Sequence, residues 1–427
     1  MNLKRRDFLK TTTASTLAAP FILNGQKAKM YKTAVIGAGW WGMNIAGAAL
    51  ASRQCKITAL CDVDDHQLAV AQEKMRPLTS DVARQYKDYR ELLQKEKPEI
   101  VIVATPDHWH ALPTIAAIEA GADVYVEKPI CHTIYEGRAM VKAAREHERV
   151  VQVGLHRRTS PHNMSAIQFL KQGGAGEIGM IRSFVHHDGG PGRATPDSEI
   201  PAGLDWDFWC GPAPYRPYNS KIHPRGFRSF LDFANGQLGD WGIHWLDHIL
   251  WWTEEKYPKS VHSVAARHIL QDNTEAPDTQ VVHFEFQDFI ATWESRRYGG
   301  NAAEKHELGI YFYGTLGTVH IGWHDGWTFY PVRNGAIVHE PPQLHEPDQQ
   351  NIPELWANFL TCIESREKPI CDIEIGHRST TMSLLGMLSA KVGRSIAWDG
   401  EQQIILHDPE ANQYLKRDYR APWSYPL

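Results

Sequence analysis

The sequence predicts an α/β domain with a parallel sheet, followed by an α+β domain with a large, mostly antiparallel open sheet. Apolar runs alternate with helix-like stretches up to about residue 153, and Gly and Pro clusters separate β-like runs after it. A chain of 427 residues is also too long for one ordinary core. We therefore divide the chain into an N-terminal extension, two domains and a tail: 1–30, 31–153, 154–407 and 408–427.

The first domain shows short apolar runs that are typical of buried strands. They fall at 32–37, 55–61, 100–104, 123–126 and 150–153, and the helix-like stretches between them at 64–75, 89–95, 110–120 and 133–147. Strands that alternate with helices in this way predict a parallel sheet with right-handed crossovers.

The second domain has a different sequence pattern. Its β-like runs fall at 181–187, 261–268, 280–286, 289–296, 308–313 and 317–321, and its helix-like stretches at 161–171, 238–252, 353–366 and 376–392. This spacing predicts a largely antiparallel sheet with added helices. The polar and aromatic tail has no clear period, and we expect it to pack as an irregular segment.

Composition excludes several classes of protein. The formal net charge is −5, and acidic and basic residues are interspersed without the basic stripe that a nucleic-acid backbone requires. None of the six cysteines shows a paired spacing such as CxxC, so the sequence predicts neither a zinc site nor a disulfide framework. We expect a globular protein that does not bind nucleic acid.

The first residues resemble a twin-arginine export signal. Arg5 and Arg6 precede a mild apolar run, 17–23. Residues 11–23 are too short and too rich in threonine to anchor the chain in a bilayer. A disordered basic N-terminus is the alternative. If the signal is real, the protein is periplasmic or exported, and it crosses the membrane already folded, as proteins with this type of signal do. If it is not, the protein is cytoplasmic.

A glycine pattern between the first strand and the first helix predicts a Rossmann-type dinucleotide site. In Gly37-Ala38-Gly39-Trp40-Trp41-Gly42 the first glycine permits a tight turn and the second lets the backbone approach a pyrophosphate. The third lets the helix pack on the strand. We assign the glycines and both tryptophans to the cofactor site.

Asp62 decides which dinucleotide is expected. It lies at the end of the next strand, where a carboxylate can accept hydrogen bonds from the ribose diol of an adenosine. Because an acidic group there would repel a 2′-phosphate, we predict NAD rather than NADP. The alternative is that Asp62 only caps the helix at 64–75.

Two more segments follow strands at the carboxyl edge of the predicted sheet. They are Thr105 to His110 and Glu127-Lys128-Pro129. Ligands bind at this edge in such sheets, so Lys128 is expected near the nicotinamide, where it could polarise or deprotonate a substrate hydroxyl. A surface lysine is the alternative interpretation.

A third group of candidates lies in the second domain. If the chain is helical from residue 238 onward, Asp240 and His244 are one turn apart on the same helix face. Histidine is the usual group that removes a hydroxyl proton, and a carboxylate beside it can orient the substrate. A metal pair or a capped structural helix remains open, but no third ligand is evident and we assign no metal.

These three motifs, in this order, resemble the Gfo/Idh/MocA family of oxidoreductases. The resemblance implies that Lys128, Asp240 and His244 contact the hydroxyl being oxidised, with His244 as acid and base. It also implies a homo-oligomer formed through the C-terminal sheet and a small-molecule sugar, glycoside or polyol as substrate. The residues that it places along the cofactor are Thr105, Pro106, His108 and Glu127.

Further substrate contacts are expected from residues specific to this chain. Arg158 and Arg228 could donate to sugar oxygens, although a solvated basic turn is equally compatible with the sequence. Trp241 could stack on a sugar ring, or it could fill a core.

If the protein is exported, free NAD is absent outside the cytoplasm, so we expect a cofactor that is carried out and regenerated in each cycle.

Such a cycle favours two reactions over a plain dehydrogenase reaction, and the family resemblance allows both. One is the paired oxidation and reduction of two sugars. The other is a glycosidase or lyase reaction that oxidises a glycoside transiently to a keto sugar, followed by elimination, water addition and re-reduction. A sugar-binding protein that holds the nucleotide as a structural ligand is a further alternative, against which the intact lysine, aspartate and histidine argue.

Overall fold

A computed structural model of the protein describes residues 29–254, 256–345 and 350–426. The residues from Tyr31 onward form one compact unit. The expected twin-arginine signal lies outside the described residues. Within the described ranges, the helices are too short or too polar to cross a bilayer.

The first sheet is built from six short strands, most of them rich in apolar residues. The strands are β1 (Tyr31–Ile36), β2 (Cys55–Cys61), β3 (Arg84–Tyr86), β4 (Ile100–Val103), β5 (Asp123–Val126) and β6 (Val151–Val153). They lie in the order β3-β2-β1-β4-β5-β6, and every pair is parallel. The prediction of a parallel sheet is confirmed, except that β3 was not predicted.

Five helices connect these strands and cover the sheet. They are α1 (Trp40–Ala51), α2 (Asp65–Met75), α3 (Tyr89–Glu96), α4 (Ala111–Glu119) and α5 (Ile134–Glu146). The strand order reverses between β1 and β4, which leaves a crevice at the carboxyl ends of these two strands. The fold therefore places a ligand site beside the loops that carry the predicted motifs.

The second sheet has ten strands and is mostly antiparallel, as the sequence predicts. Its strands are β7 (Ile178–His186), β8 (Ser260–Ala266), β9 (Thr279–Glu285), β10 (Ile290–Arg296), β11 (Leu308–Gly314), β12 (Gly317–Ile321), β13 (Trp327–Pro331), β14 (Val338–Glu340), β15 (Ile396–Asp399) and β16 (Ile404–Leu406). Only the pairing of β7 with β10 is parallel within the described part of this sheet. The strands β13 to β16 were not predicted.

The remaining helices pack against the second sheet and the first domain. They are α6 (Pro161–Lys171), α7 (Trp206–Cys210), α8 (Ile243–Thr253), α9 (Ile352–Ser365), α10 (Ile373–Val392) and α11 (Pro409–Gln413). The tail is not wholly irregular, which corrects the sequence-based expectation, because it begins with α11. Beyond this helix Trp423 packs edge-on against Trp109, with ring centroids 4.7 Å apart.

A segment of the second domain, residues 203–233, lies over the corner between β2 and α2. It carries a small hydrophobic cluster of its own, into which Val63 of the corner packs. The backbone N–H of Asp205 donates to Val63 O at 3.0 Å, and that of Asp65 donates to Gly203 O at 3.2 Å. We call residues 203–233 the covering segment.

Candidate active site

A cavity of about 690 Å³ opens at the carboxyl ends of β1, β4 and β5. The glycine turn and the two strand-end motifs of the first domain line one part of it. The covering segment, the turn at 238–242 and α8 line much of the rest. The predicted residues that reach the cavity are Gly37, Gly39, Trp40, Trp41, Asp62, Thr105, Pro106, Glu127, Lys128, Arg228, Asp240, Trp241 and His244.

The glycine turn has the geometry that close backbone approach requires. Gly37 has a φ of +91°, which favours glycine, and a Cβ there would lie 2.6 Å from the carbonyl carbon of Ala104. A Cβ on Gly42 would lie 2.1 Å from Gly37 O. Gly42 therefore acts where the sequence predicts, in the packing of α1 on the turn, and it does not itself line the cavity.

Asp62 lies at the cavity wall beside the glycine turn. Its Oδ2 accepts the backbone N–H of Ala38 at 3.0 Å, and its Oδ1 accepts that of Asp64 at 3.1 Å. Burial raises the pKa of Asp62 to about 7, against the lowering effect of these hydrogen bonds. The capping alternative is wrong, because Asp64 caps α2 through the N–H of His66.

Lys128, Asp240 and Arg228 form a charged group on the opposite wall. Lys128 Nζ donates to Asp240 Oδ1 at 3.0 Å and to Asp240 O at 2.9 Å, and Arg228 Nε lies 3.2 Å from the same Oδ1. Burial alone would raise the pKa of Asp240, but the charges of Lys128 and Arg228 lower it to about 2. Asp240 is therefore ionised and holds Lys128 in place.

His244 lies one position into α8 and faces the same cavity. Leu238–Gly242, just before it, forms a π-helical turn rather than the α-helix predicted from residue 238. The ring lies 5.0 Å from Trp323, and its Nδ1 is buried without a partner among the described residues. Burial, reinforced by the charge of Lys128, holds the pKa of His244 well below the ordinary histidine value. A neutral imidazole of this kind can accept a proton.

Two predicted contacts are wrong. His108 is buried behind the cavity, where its Nε2 bonds to Trp209 O at 3.0 Å, because the 3₁₀ turn at 107–109 directs the ring away from the crevice. Arg158 is 3% exposed and pairs with Asp247, at 2.9 Å between Nε and Oδ2. Arg158 therefore supports α8 through Asp247 and does not line the cavity.

Several cavity residues were missed by the sequence analysis. Asp107 and His110 line the cavity from the segment that contains His108, and burial raises the pKa of Asp107 to about 7. His156 reaches it from the turn that carries Arg158, with its ring 5.3 Å from that of His244. All three lie in the loops that follow β4 and β6, and this position was the available signal.

The residues at this site fit a dinucleotide. The glycine turn leads into the N-terminus of α1, which favours a negatively charged phosphate. Asp62 offers a carboxylate at the end of β2, and the buried hydroxyl of Thr105 has no hydrogen-bond partner among the described residues. A polar ligand in the cavity can therefore satisfy groups that the protein leaves unpaired.

Comparison with protein families agrees with this geometry. Residues 31–155 match the NAD-binding Rossmann fold of an oxidoreductase family, and residues 190–425 match the C-terminal alpha/beta domain of the same family. The chain belongs to the Gfo/Idh/MocA family. Membership confirms the predicted fold, the oxidoreductase class and the NAD-binding domain.

Individual members of the Gfo/Idh/MocA family share parts of this sequence. A levoglucosan dehydrogenase from Pseudarthrobacter phenanthrenivorans is 32% identical over 121 residues, which is 28% of this chain and 29% of the relative. A glycosyl hydrolase family 109 protein from a Shewanella species is 26% identical over 204 residues, 42% of this chain and 44% of the relative. The matches thus span less than half of these relatives.

A solved structure extends the similarity of the fold to most of the chain. An aldose-aldose oxidoreductase from Caulobacter crescentus, complexed with glycerol, superposes with a TM-score of 0.65 at 19% identity. The superposition covers 87% of this chain and 100% of the other. The two proteins therefore share a fold over most of this chain.

Proposed function

We propose that this protein is an NAD-dependent oxidoreductase that acts on a hydroxyl of a sugar, glycoside or polyol. One observation carries the proposal: Lys128, Asp240 and His244 line the same cavity as the glycine turn and Asp62. The levoglucosan dehydrogenase and the aldose-aldose oxidoreductase support a sugar substrate. When bound, NAD supplies the acceptor for a hydride.

The chain's own residues divide the remaining work between binding and proton transfer. Lys128 donates hydrogen bonds and is fixed by Asp240, so its Nζ can hold the substrate hydroxyl oxygen. His244 is neutral at physiological pH and takes the hydroxyl proton. Trp241 and Trp323, with ring centroids 5.0 Å apart, offer aromatic faces for the C–H surface of a sugar.

The covering segment supports a cofactor that stays bound between turnovers. His223 of this segment bonds to Asp64 Oδ2 at 2.9 Å, and Lys87 Nζ donates to Gly203 O at 2.6 Å. These contacts fasten the segment to the corner beside Asp62, and residues of both sides line the cavity. A dinucleotide held between them would leave slowly, which suits an exported enzyme with no free NAD around it.

His156 favours a second candidate function, elimination from a transiently oxidised glycoside. Burial, with the charges of Arg157 and Lys128, holds the pKa of His156 well below the ordinary histidine value. The imidazoles of His156 and His244 are thus both kept neutral, and they lie next to each other in the cavity. One can serve the hydroxyl and the other can remove the acidic proton on the carbon beside the ketone. The family 109 glycosyl hydrolase relative is consistent with this chemistry.

Lys128→Met tests the catalytic assignment. The variant keeps the length of the side chain but removes the donor at 3.0 Å from Asp240, so we expect sugar turnover to fall by about 10²- to 10⁴-fold. Lys142→Met, at an exposed lysine of α5, is the matched control and should keep wild-type turnover. Unchanged turnover in Lys128→Met would show that Lys128 is not catalytic.

Denaturation of the purified protein tests the retained cofactor. We expect about one equivalent of NAD or NADH to be released, and we expect turnover of a glycoside panel without added cofactor. A protein that is empty as purified and strictly requires added NAD would overturn retention while leaving the oxidoreductase assignment in place.

Isotope exchange separates the two candidate functions. In the elimination reaction, solvent deuterium appears at the carbon beside the oxidised one, and His156→Gln should reduce this exchange more than it reduces oxidation. Net NADH release without deuterium incorporation would instead indicate an ordinary dehydrogenase.

We also propose that the N-terminal residues direct export of the folded protein. The paired Arg5 and Arg6 before a mild apolar run support this proposal. Fusion of residues 1–30 to a reporter should send it to the periplasm, and Arg5→Lys with Arg6→Lys should retain it in the cytoplasm. A reporter that stays cytoplasmic with both arginines intact would refute export by this route.

A further inference from the structure

Two histidines and an aspartate meet at one end of the hairpin formed by β11 and β12, outside the proposed active site. His306 precedes β11, His320 lies in β12, and Asp325 follows in the next loop. One potential ligand atom from each residue lies within 4.8 Å of the others. Asp325 Oδ2 is 2.9 Å from His306 Nδ1 and 3.8 Å from His320 Nδ1.

The second domain makes room for these imidazoles. His320 is 1% exposed, and a Cβ on Gly309 of the neighbouring strand would lie 2.6 Å from its Nε2. The rings of His306 and His320 stack with centroids 3.7 Å apart. The buried Nε2 atoms of both rings have no hydrogen-bond partner in the described part of the chain. The pair of Asp325 and His306 alone does not account for the buried imidazole of His320 that stacks against His306.

We propose that His306, His320 and Asp325 bind a divalent transition-metal ion of the zinc class. Imidazole nitrogen and carboxylate oxygen are ligands that zinc prefers, and three such ligands leave a fourth position for water. The Nζ of the neighbouring Lys305 bonds to the hydroxyl of Tyr330, so it does not occupy the proposed site, although its charge acts on both imidazoles. Small inward shifts of the three side chains would bring the ligand atoms to bonding distance from a shared ion.

The site would connect the hairpin to the wall of the active-site cavity. Asp325 lies two residues after Trp323, whose ring packs 5.0 Å from that of His244. Arg157 also holds Trp323, with its guanidinium 3.5 Å from the ring centroid and Nη1 3.1 Å from Trp323 O. A metal ion on Asp325 would therefore fix the loop at 322–326 that carries Trp323. This function goes beyond the proposed sugar oxidation.

Metal titration of untagged, chelator-treated full-length protein tests the proposal. We expect one equivalent of Zn²⁺ to bind and to raise the thermal unfolding temperature, with Mg²⁺ much weaker. Co²⁺ should give visible absorption bands. His306→Ala and Asp325→Asn alter the more exposed ligands, with side chains 15% and 47% exposed, so both variants should fold. His324→Ala, in the same loop but outside the cluster, is the matched control.

The variants give outcomes that separate a real site from surface binding. His306→Ala and Asp325→Asn should weaken Zn²⁺ binding by at least about 100-fold, and His324→Ala should leave it unchanged. Absence of saturable Zn²⁺ binding to the wild type would overturn the proposal, as would wild-type affinity in Asp325→Asn. Equal losses in all three variants would also overturn it. None of these readouts depends on sugar turnover.

Discussion

Asp240→Asn tests whether the charged group at the active site has the electrostatics derived above. The substitution keeps the shape of the side chain and removes the charge that Lys128 and Arg228 share, at 3.0 and 3.2 Å. The side chains of Asp240 and Lys128 are 21% and 13% exposed, so solvent screens their interaction only in part. We expect both stability and turnover to fall.

The expected loss of stability follows from the pKa of Asp240. Burial raises this pKa, but the charges of Lys128 and Arg228 lower it by more, so that it changes from 3.8 to about 2. At about 1.36 kcal/mol for each pKa step, the carboxylate contributes about 2.4 kcal/mol to the free energy of unfolding at neutral pH. The partial exposure of the side chain reduces the figure, so we expect about 1–2 kcal/mol for Asp240→Asn.

The sign of the pH dependence is fixed by the direction of this pKa change. A carboxyl whose pKa is lowered in the folded state stabilises the protein above its unfolded value, here 3.8. The contribution is lost as the pH falls through about 2. The stability difference between wild type and Asp240→Asn should therefore be constant from about pH 7 to 5 and shrink steadily below about pH 4.

Urea unfolding followed by tryptophan fluorescence measures this difference at each pH, since the chain contains 15 tryptophans. Asp288→Asn, in the exposed turn between β9 and β10, is the control for removal of a carboxylate. A difference that persists undiminished below about pH 3 would refute the electrostatic explanation. So would a loss at pH 7 no larger than that of the control.

Three further substitutions or measurements test other parts of the structure. Gly42→Ala should abolish dinucleotide retention, because its methyl group would lie 2.1 Å from a backbone oxygen. Gly47→Ala, at a position with open space around it, is the control and should be neutral or stabilise α1 by up to about 1 kcal/mol. Retained dinucleotide in Gly42→Ala would contradict this prediction. Arg158→Ala leaves the buried charge of Asp247 without a cation, although the Ser379 hydroxyl still donates to it, so urea unfolding should show a loss of about 3–5 kcal/mol. A raised KM at unchanged stability would indicate substrate contact instead. Burial holds the pKa of His244 low, so ¹⁵N NMR should find its ring neutral at about pH 6; a charged ring there would refute its assignment as base.

The central strands of the first domain were predictable because strands buried on both faces must be continuous apolar runs. The sequences of β1, β4 and β5 are largely apolar runs, and nearly all of their residues are buried in the structure. β3 is different, because its three residues are polar or aromatic and partly exposed at the sheet edge. Pairing with β2, and not its own sequence pattern, makes it a strand.

The catalytic candidates could be predicted because each follows a recognisable local signal. Lys128 follows a strand, and Asp240 and His244 stand four residues apart, although 112 residues separate Lys128 from Asp240. The errors at His108 and Arg158 have a common cause. Both lie in short 3₁₀ turns, where one residue's difference decides whether a side chain faces the crevice or the core. Their partners lie about 90–100 residues away and give no local signal.

The covering segment bears on which of the candidate reactions suits this chain. A dehydrogenase that releases reduced cofactor must open its dinucleotide site in every turnover, so contacts that close the site slow the cycle. Here His223 and Lys87 join the segment to the corner beside Asp62, and a hydrophobic cluster around Trp206 and Phe233 packs within the segment. A reaction that oxidises and then reduces within one cycle does not require the cofactor to leave. These contacts are therefore the physical basis of our proposal that the bound cofactor is regenerated rather than released.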